Sequence, residues 1–326
     1  MSYAPHTWAI VLAAGQGKRL SSLTADERGV AVPKQFCSLR GGSSLLRETL
    51  CRVAAVAPRQ RICTVVAAEH RHWWQRELGD MPRENIIVQP ADRGTAHGIL
   101  LPLLHVERRD PQANILLLPS DHHVHDENTL ASALRDALHH VAAQPRRLLM
   151  LGIEPDEADP ELGYIVPGKL LGKALHSVAR FVEKPPLDAA QELVQVGALW
   201  NAFIIAAHGH ALLRLFALQL PENLAGMRRA LRCDRYSPER PAALGEFYLR
   251  LQNIDFSQHL LPGAEALLRV LPVPACGWSD LGTPQRLAVT LQRLPRAADP
   301  EAELPQAMAG VLNLAAQHAQ RGLHVS

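Results

Sequence analysis

The apolar run Trp8–Ala14 ends in Gly15-Gln16-Gly17 and is followed at once by two cations, Lys18 and Arg19. Glycine lets a backbone turn sharply and bring its N–H groups close to a ligand. A polyphosphate needs both close backbone donors and nearby positive charge. The segment reads as a loop that cradles a triphosphate, and the plain alternative is a glycine turn between a strand and a helix. The dinucleotide fingerprint would need a third glycine where Leu20 stands. The P-loop would need Ser or Thr where Arg19 stands.

Two carboxylates follow apolar strands. Asp121 comes after Leu116-Leu117-Leu118-Pro119, and Asp280 sits in the Gly277–Thr283 turn. Two such aspartates can share one Mg²⁺, which favours carboxylate and phosphate oxygens and keeps several waters. Taken singly, Asp121 also suits a helix N-cap and Asp280 a turn. Lys184, in Phe181-Val182-Glu183-Lys184-Pro185, is a compact cation suited to a phosphate monoester, or a surface lysine. In Gln89-Pro90-Ala91-Asp92-Arg93-Gly94-Thr95, Gln89 offers the donor and acceptor that a base edge requires. Gly94 would allow close approach of a flat base, and Thr95 would cap the next helix; an ordinary β–α loop explains Thr95 equally well. Gly163-Tyr164-Ile165 and Leu199-Trp200-Asn201 put polar and aromatic groups at strand starts, where a sugar face would stack. The His122-His123-Val124-His125 run reads as a polar loop, because adjacent histidines cannot all face one ion.

These groups need a scaffold, and the pattern around them supplies one. Strands are predicted at Trp8–Ala13, Arg61–Ala67, Asn85–Val88, Ile115–Leu118, Arg147–Gly152, Val178–Glu183, Ala202–Ala206 and near Leu268–Val273. Helices are predicted at Ser44–Ala57, Glu69–Leu78, Thr95–His105, Asn128–Ala142, Asp188–Val196 and His208–Leu218. Alternation in units of this length predicts an α/β fold, a doubly wound, mostly parallel (mixed) sheet. Such sheets bind ligands at the carboxyl ends of their strands, where the groups above cluster. The chain reads as one principal domain over 1–290 with a C-terminal helical extension over 291–326.

With 326 residues, 47% of them hydrophobic, the chain can bury a full core. Its formal net charge is +2, and no basic tract or aromatic-interleaved patch points to nucleic acid. The five scattered cysteines form no Cys-x-x-Cys pair, which argues against a disulfide framework. No signal-peptide pattern opens the sequence and no apolar run reaches membrane-spanning length. The expectation is a cytoplasmic protein with neither membrane nor nucleic-acid partners.

In their order along the chain, these motifs resemble the sugar-1-phosphate nucleotidyltransferase family, especially its mannose-1-phosphate guanylyltransferases. The resemblance is carried by Gly15-x-Gly17-x-Arg19-Leu20 with Pro33-Lys34-Gln35-Phe36, by Gln89-Pro90-x-x-Arg93-Gly94-Thr95-Ala96, and by Pro119-Ser120-Asp121-His122. It continues through Gly152-Ile153-x-Pro155, Gly163-Tyr164-Ile165, Phe181-Val182-Glu183-Lys184-Pro185, Trp200-Asn201, Ile254-Asp255-Phe256 and Trp278-Ser279-Asp280-Leu281-Gly282-Thr283. It implies a sheet of nucleotidyltransferase type and the condensation of GTP with mannose 1-phosphate to GDP-mannose and pyrophosphate. The alternatives are another nucleotide and hexose 1-phosphate pair, or a silent paralogue that binds a nucleotide sugar. By the same resemblance Leu12, Ala14, Gly15, Gly17, Gln89, Gly94 and Thr95 bind the nucleotide. Arg19, Lys34 and Lys184 act on the reacting phosphates, with Gly163, Glu183, Lys184 and Asn201 on the sugar phosphate. Asp121 and Asp280 hold Mg²⁺ as the cofactor, and a homodimer is compatible with the family. Ala202-Phe203 departs from the family's Ser-Gly beside the expected sugar pocket. No sugar-isomerase domain, as some bifunctional relatives carry, is expected within 326 residues.

Overall fold

The first apolar run forms β1 (Thr7–Ala13), with Trp8 and Ile10 packed into one core cluster and Ala9 and Val11 into another. A strand buried on both faces needs cover on both sides, and the alternating helices provide it. The structure, a computed structural model, describes residues 3–17, 24, 31–39, 41–236 and 242–294. Lys18, Arg19 and most of the segment that follows lie outside the described residues, as does the expected extension beyond residue 294.

The further strands are β2 (Ile62–Ala67), β3 (Ile86–Gln89), β4 (Asn114–Pro119), β5 (Leu148–Ile153), β6 (Gly163–Leu170), β7 (His176–Glu183), β8 (Leu199–His208) and β9 (Leu268–Val273). The helices are α1 (Leu45–Ala54), α2 (Arg71–Glu77), α3 (Thr95–Arg109), α4 (Glu127–Ala143), α5 (Leu187–Gln195), α6 (Gly209–Gln219), α7 (Pro221–Tyr236), α8 (Ala242–Arg250), α9 (Phe256–His259) and α10 (Pro284–Arg293). Apolar residues of α3 and α6 enter the cluster on one face, and those of α1, α2 and α4 the cluster on the other.

All nine strands join one sheet in the order β3-β2-β1-β4-β8-β5-β9-β7-β6. β8 runs antiparallel to both β4 and β5, and β7 antiparallel to both β6 and β9. The other strands share the direction of β1, so the sheet is mixed. Because β8 is reversed, its first residues lie beside the last residues of its neighbours, with Trp200 opposite Ile153. Tyr164 pairs with Trp200 in turn, and Gly163 with Glu183. Reversal of one strand thus brings residues after 199 to the end of the sheet where β1, β3 and β4 finish.

β6 is a full strand where the sequence marked only its first residues. Burial fades along it from Gly163 to Leu170, so it never shows a clean period of two. The predicted helix from Glu69 divides into a 3-10 turn, Ala68–His70, and α2. Thr95 is not the cap of α3. Gly94 holds that position at φ 82°, and Thr95 is the first helical residue.

Candidate active site

The end of β3 and the start of α3 enclose a cavity of about 440 Å³, lined by Leu12, Ala14, Gly15, Gln89, Gly94 and Thr95 among others. Six of the seven nucleotide-binding expectations therefore line one cavity. The seventh, Gly17, stands beside Lys34 with φ 61°, and a Cβ there would come to 3.0 Å from the Lys34 amide nitrogen. Gln35 fixes this loop by donating from Nε2 to the carbonyls of Ala13 (3.0 Å) and Gly15 (2.9 Å). Gln89 is buried, donates from Nε2 to the Tyr248 hydroxyl at 3.3 Å, and lies over Gly98. A Cβ at Gly94 would strike the Ile254 carbonyl and the Asn253 side chain, so glycine is required there. The hydroxyl of Thr95, expected at a cap, donates instead to Asp255 Oδ2 (3.1 Å) and accepts from the Phe256 amide (2.7 Å). This competing partner is what defeats the cap.

The phosphate-handling candidates meet around Lys34, which lies in the 3-10 turn Lys34–Phe36 and is buried. Its Nζ makes an ion pair with Asp121 Oδ2 at 2.9 Å and donates to the Asp280 carbonyl at 2.5 Å. The loops of the two aspartates are held side by side by the bridge His123↔Ser279. Burial works against ionisation of Asp121, but Lys34 and His122 outweigh it and its carboxyl titrates below the ordinary range. Asp280 is likewise opposed by burial and lowered by His122 and Arg286. Burial pushes the His122 imidazole down to about 4, against the pull of Asp121, so it is neutral near pH 7. In the histidine run, the His122 ring meets Trp278 edge-on, and the His123 and His125 amides donate to the carbonyls of Ser279 and Cys276.

The donor set fits a hard divalent cation. Asp121 is more than a third exposed (37%), and the two bonds that Asp280 accepts, from the Gly282 amide and Arg286, both go to Oδ1. Among the described residues no group of three or more His, Cys, Asp or Glu side chains is arranged around a metal. Two carboxylates with the remaining positions left to waters and substrate phosphates suit Mg²⁺ rather than zinc.

The sugar-side candidates also come together. A Cβ on Gly163 would strike Glu183 Oε2 and approach the Asn201 side chain at 3.4 Å. Burial, with Asp255 as a second cause, pushes the Glu183 carboxyl up to about 7, against the pull of Lys184. Its Oε2 is buried with no hydrogen-bond partner among the described residues. Lys184 is exposed in the left-handed region at φ 48°, and its amide donates to the Leu162 carbonyl. Asn201 accepts from the Phe203 amide at 3.0 Å and reaches Ser257 at 3.5 Å. Phe203 itself has φ 55°, a strained value for a bulky residue, and its ring meets Phe256 edge-on.

Several residues of the cleft carry no sequence signal of their own. Asn253 lines the cavity, Tyr248 holds Gln89 from behind it, and Arg286 holds Asp280, whereas Asp255, which lines the cavity and also acts on Glu183, falls in a sequence motif. The Ile254-Asp255-Phe256 motif was the one available pointer to this wall.

The α/β sheet gathers a glycine loop, a buried lysine and two aspartates at one end. The sequence model of the nucleotidyl transferase family matches residues 8–295, and the chain belongs to that family. It is 30% identical over 292 residues to the mannose-1-phosphate guanylyltransferase of Escherichia coli K12, covering 85% of this chain and 58% of that protein. With the ManC mannose-1-phosphate guanylyltransferase of Salmonella typhimurium LT2 it is 31% identical, again over 85% of this chain and 58% of that one. The chain thus spans less than two thirds of the length of these curated relatives. A crystal structure from Thermus thermophilus, described as a mannose-1-phosphate geranyltransferase, superposes with a TM-score of 0.75 at 29% identity, over 89% of this chain and 80% of that one. No helix among the described residues is long and apolar enough to cross a membrane.

Proposed function

We propose that this chain condenses a nucleoside triphosphate with a hexose 1-phosphate, with GTP and mannose 1-phosphate as the pair and GDP-mannose and pyrophosphate as products. One observation carries the reading. Asp255 lines the cavity with Gln89 and Gly94 and also raises the Glu183 carboxyl, which sits against Gly163 near Asn201, while Lys34, paired with Asp121, adjoins Gly17 of the glycine loop that lines the same cavity. This arrangement supports a reading in which base, phosphates and sugar share one cleft.

The reaction needs no protein nucleophile. A phosphate oxygen of the sugar phosphate attacks the α-phosphorus, the bond to the bridging oxygen breaks, and pyrophosphate leaves. Catalysis is then positioning and charge neutralisation. Leu12 and Ala14 wall the nucleotide, and the Gly15–Gly17 amides hold its triphosphate together with Arg19, which lies outside the described residues. Gln89 and Gly94 read the base, whereas Thr95 acts through Asp255 and Phe256. Lys34 supplies fixed positive charge at the reacting phosphates, and Lys184 holds the phosphate of the sugar. Glu183 offers an acceptor oxygen to sugar hydroxyls, flanked by Gly163 and Asn201. Asp121 and Asp280 would hold Mg²⁺, which would supply charge neutralisation at the phosphate oxygens and at the departing pyrophosphate. A different hexose 1-phosphate is the second reading, favoured by Ala202-Phe203 in place of the family's Ser-Gly next to Asn201, with the Phe203 amide bonded to Asn201 and its ring against Phe256.

Pyrophosphate release with Mg²⁺, over a grid of nucleoside triphosphates and hexose 1-phosphates, tests the proposal. Release at GTP with mannose 1-phosphate alone is the expected result. Release at another single pair keeps the reaction and replaces the substrates. A folded protein that binds a nucleotide sugar and releases pyrophosphate from no pair overturns it.

A further inference from the structure

Arg286, in the first turn of α10, lies outside every motif that suggested the site, yet it is one of its best-held side chains. Its side chain is only 10% exposed. Nη1 donates to Asp280 Oδ1 at 2.9 Å, Nη2 lies 3.0 Å from Asp159 Oδ2, and Nε lies 3.4 Å from Glu157 Oε1. Its plane covers the Trp200 ring at 4.4 Å, and Trp200 precedes Asn201. Asp159 belongs to the loop that leads into β6: Tyr164 donates its hydroxyl to the Asp159 carbonyl at 3.0 Å and accepts from the Asp159 amide at 2.8 Å. One guanidinium therefore spans the 280 turn through a hydrogen bond, the loop before Gly163 through an ion pair in which Nη2 makes no hydrogen bond, and the start of β8 through the Trp200 ring. A lysine is a point charge on a flexible stem and cannot bridge these partners in fixed geometry.

We propose that Arg286 is a positioning residue: it grips Asp280 by a hydrogen bond to Oδ1, leaves Oδ2 to a divalent cation, and ties that carboxylate to the sugar-side loop through its ion pair with Asp159. The inference rests on the assignment of Asp280 to the cation above. Groups that orient a metal-binding side chain typically change metal affinity by about 10–100-fold when replaced. The cation site and the sugar site are then mechanically joined by one side chain.

The test uses Mn²⁺ as the probe. Its binding to the full chain is followed by loss of the free-ion EPR signal, which does not depend on turnover. Arg286→Lys keeps the charge and loses the fork, and it is expected to weaken Mn²⁺ binding about tenfold or more. It should also raise KM for the sugar phosphate, with metal-free nucleotide binding unchanged. Asp159→Asn leaves Arg286 and Asp280 in place and should weaken Mn²⁺ binding in the same direction, which covers the case of an unstable lysine variant. Mn²⁺ affinity equal to wild type in R286K and D159N, both folded, overturns the proposal. Asp280→Asn separates the two failures: if it too binds Mn²⁺ like wild type, the cation assignment is wrong and the proposal falls with it.

Discussion

Replacing Glu183 by glutamine should make the free protein more stable and a worse enzyme. The carboxyl rises from 4.5 to about 7 on folding, mainly because burial opposes its charged form. At 1.36 kcal/mol per pKa unit, holding it ionised costs the fold about 3 kcal/mol. The sign follows from proton binding. Between these two values the folded state binds more protons than the unfolded state, so stability falls as pH rises from about 4.5 to about 7 and is level above that. Glutamine carries no charge at any pH and should remove this slope. Urea unfolding of wild type and Glu183→Gln, followed by tryptophan fluorescence, should show a gain of about 3 kcal/mol for the variant at pH 8 and only a small gain at pH 5. The same change should raise KM for the sugar phosphate about tenfold, because a charge-assisted hydrogen bond is exchanged for a neutral one. A gain of equal size at both pH values would refute the argument, since the effect would then come from packing. No gain at pH 8 would refute it too, because a solvated carboxylate costs nothing.

Lys34→Met should reduce kcat at least about a hundredfold, since it removes the cation from the reacting phosphates and leaves Asp121 without its partner; steady-state pyrophosphate release checks this. Gly94→Ala should destabilise the fold by about 1–3 kcal/mol and raise KM for the nucleotide, because its Cβ meets the Ile254 carbonyl at a positive φ; thermal melts and kinetics read both. Tyr248→Phe removes the hydroxyl that holds the Gln89 amide and should raise KM for the nucleotide about fivefold, with KM for the sugar phosphate unchanged.

The parts of the cleft legible in sequence are those whose meaning is local. A glycine loop after an apolar strand, or an aspartate just past one, is a pattern of a few neighbouring residues, and β1, β4 and β9 place Gly15, Asp121 and Asp280 where that pattern predicts. Tyr248 was silent because its partner Gln89 is 159 positions away and its helix shows only an amphipathic face. Arg286 was silent for the same reason, as one of two polar residues in the first turn of α10. The reversed direction of β8 has no local signature at all. Its apolar residues look the same in either direction, and only pairing with β4 and β5 decides. Thr95 was misread as a cap because a hydroxyl before a helix has a default partner, and here Asp255 takes its place.

The order of strands has one further consequence. The residues proposed to read the base come from the contiguous segment that builds β1 to β4, and those proposed to meet the sugar come from β6, β7 and β8. On that proposal the two specificities would be written in separate stretches of chain within one sheet. Substitutions that retune one half have little reason to disturb the other, so partner preferences can drift independently while the phosphate chemistry between them stays fixed. Asp255 is the exception, since it lines the base cavity, binds Thr95 and also bears on Glu183. It is the hinge of that division of labour, where a change made for one substrate would be felt by the other.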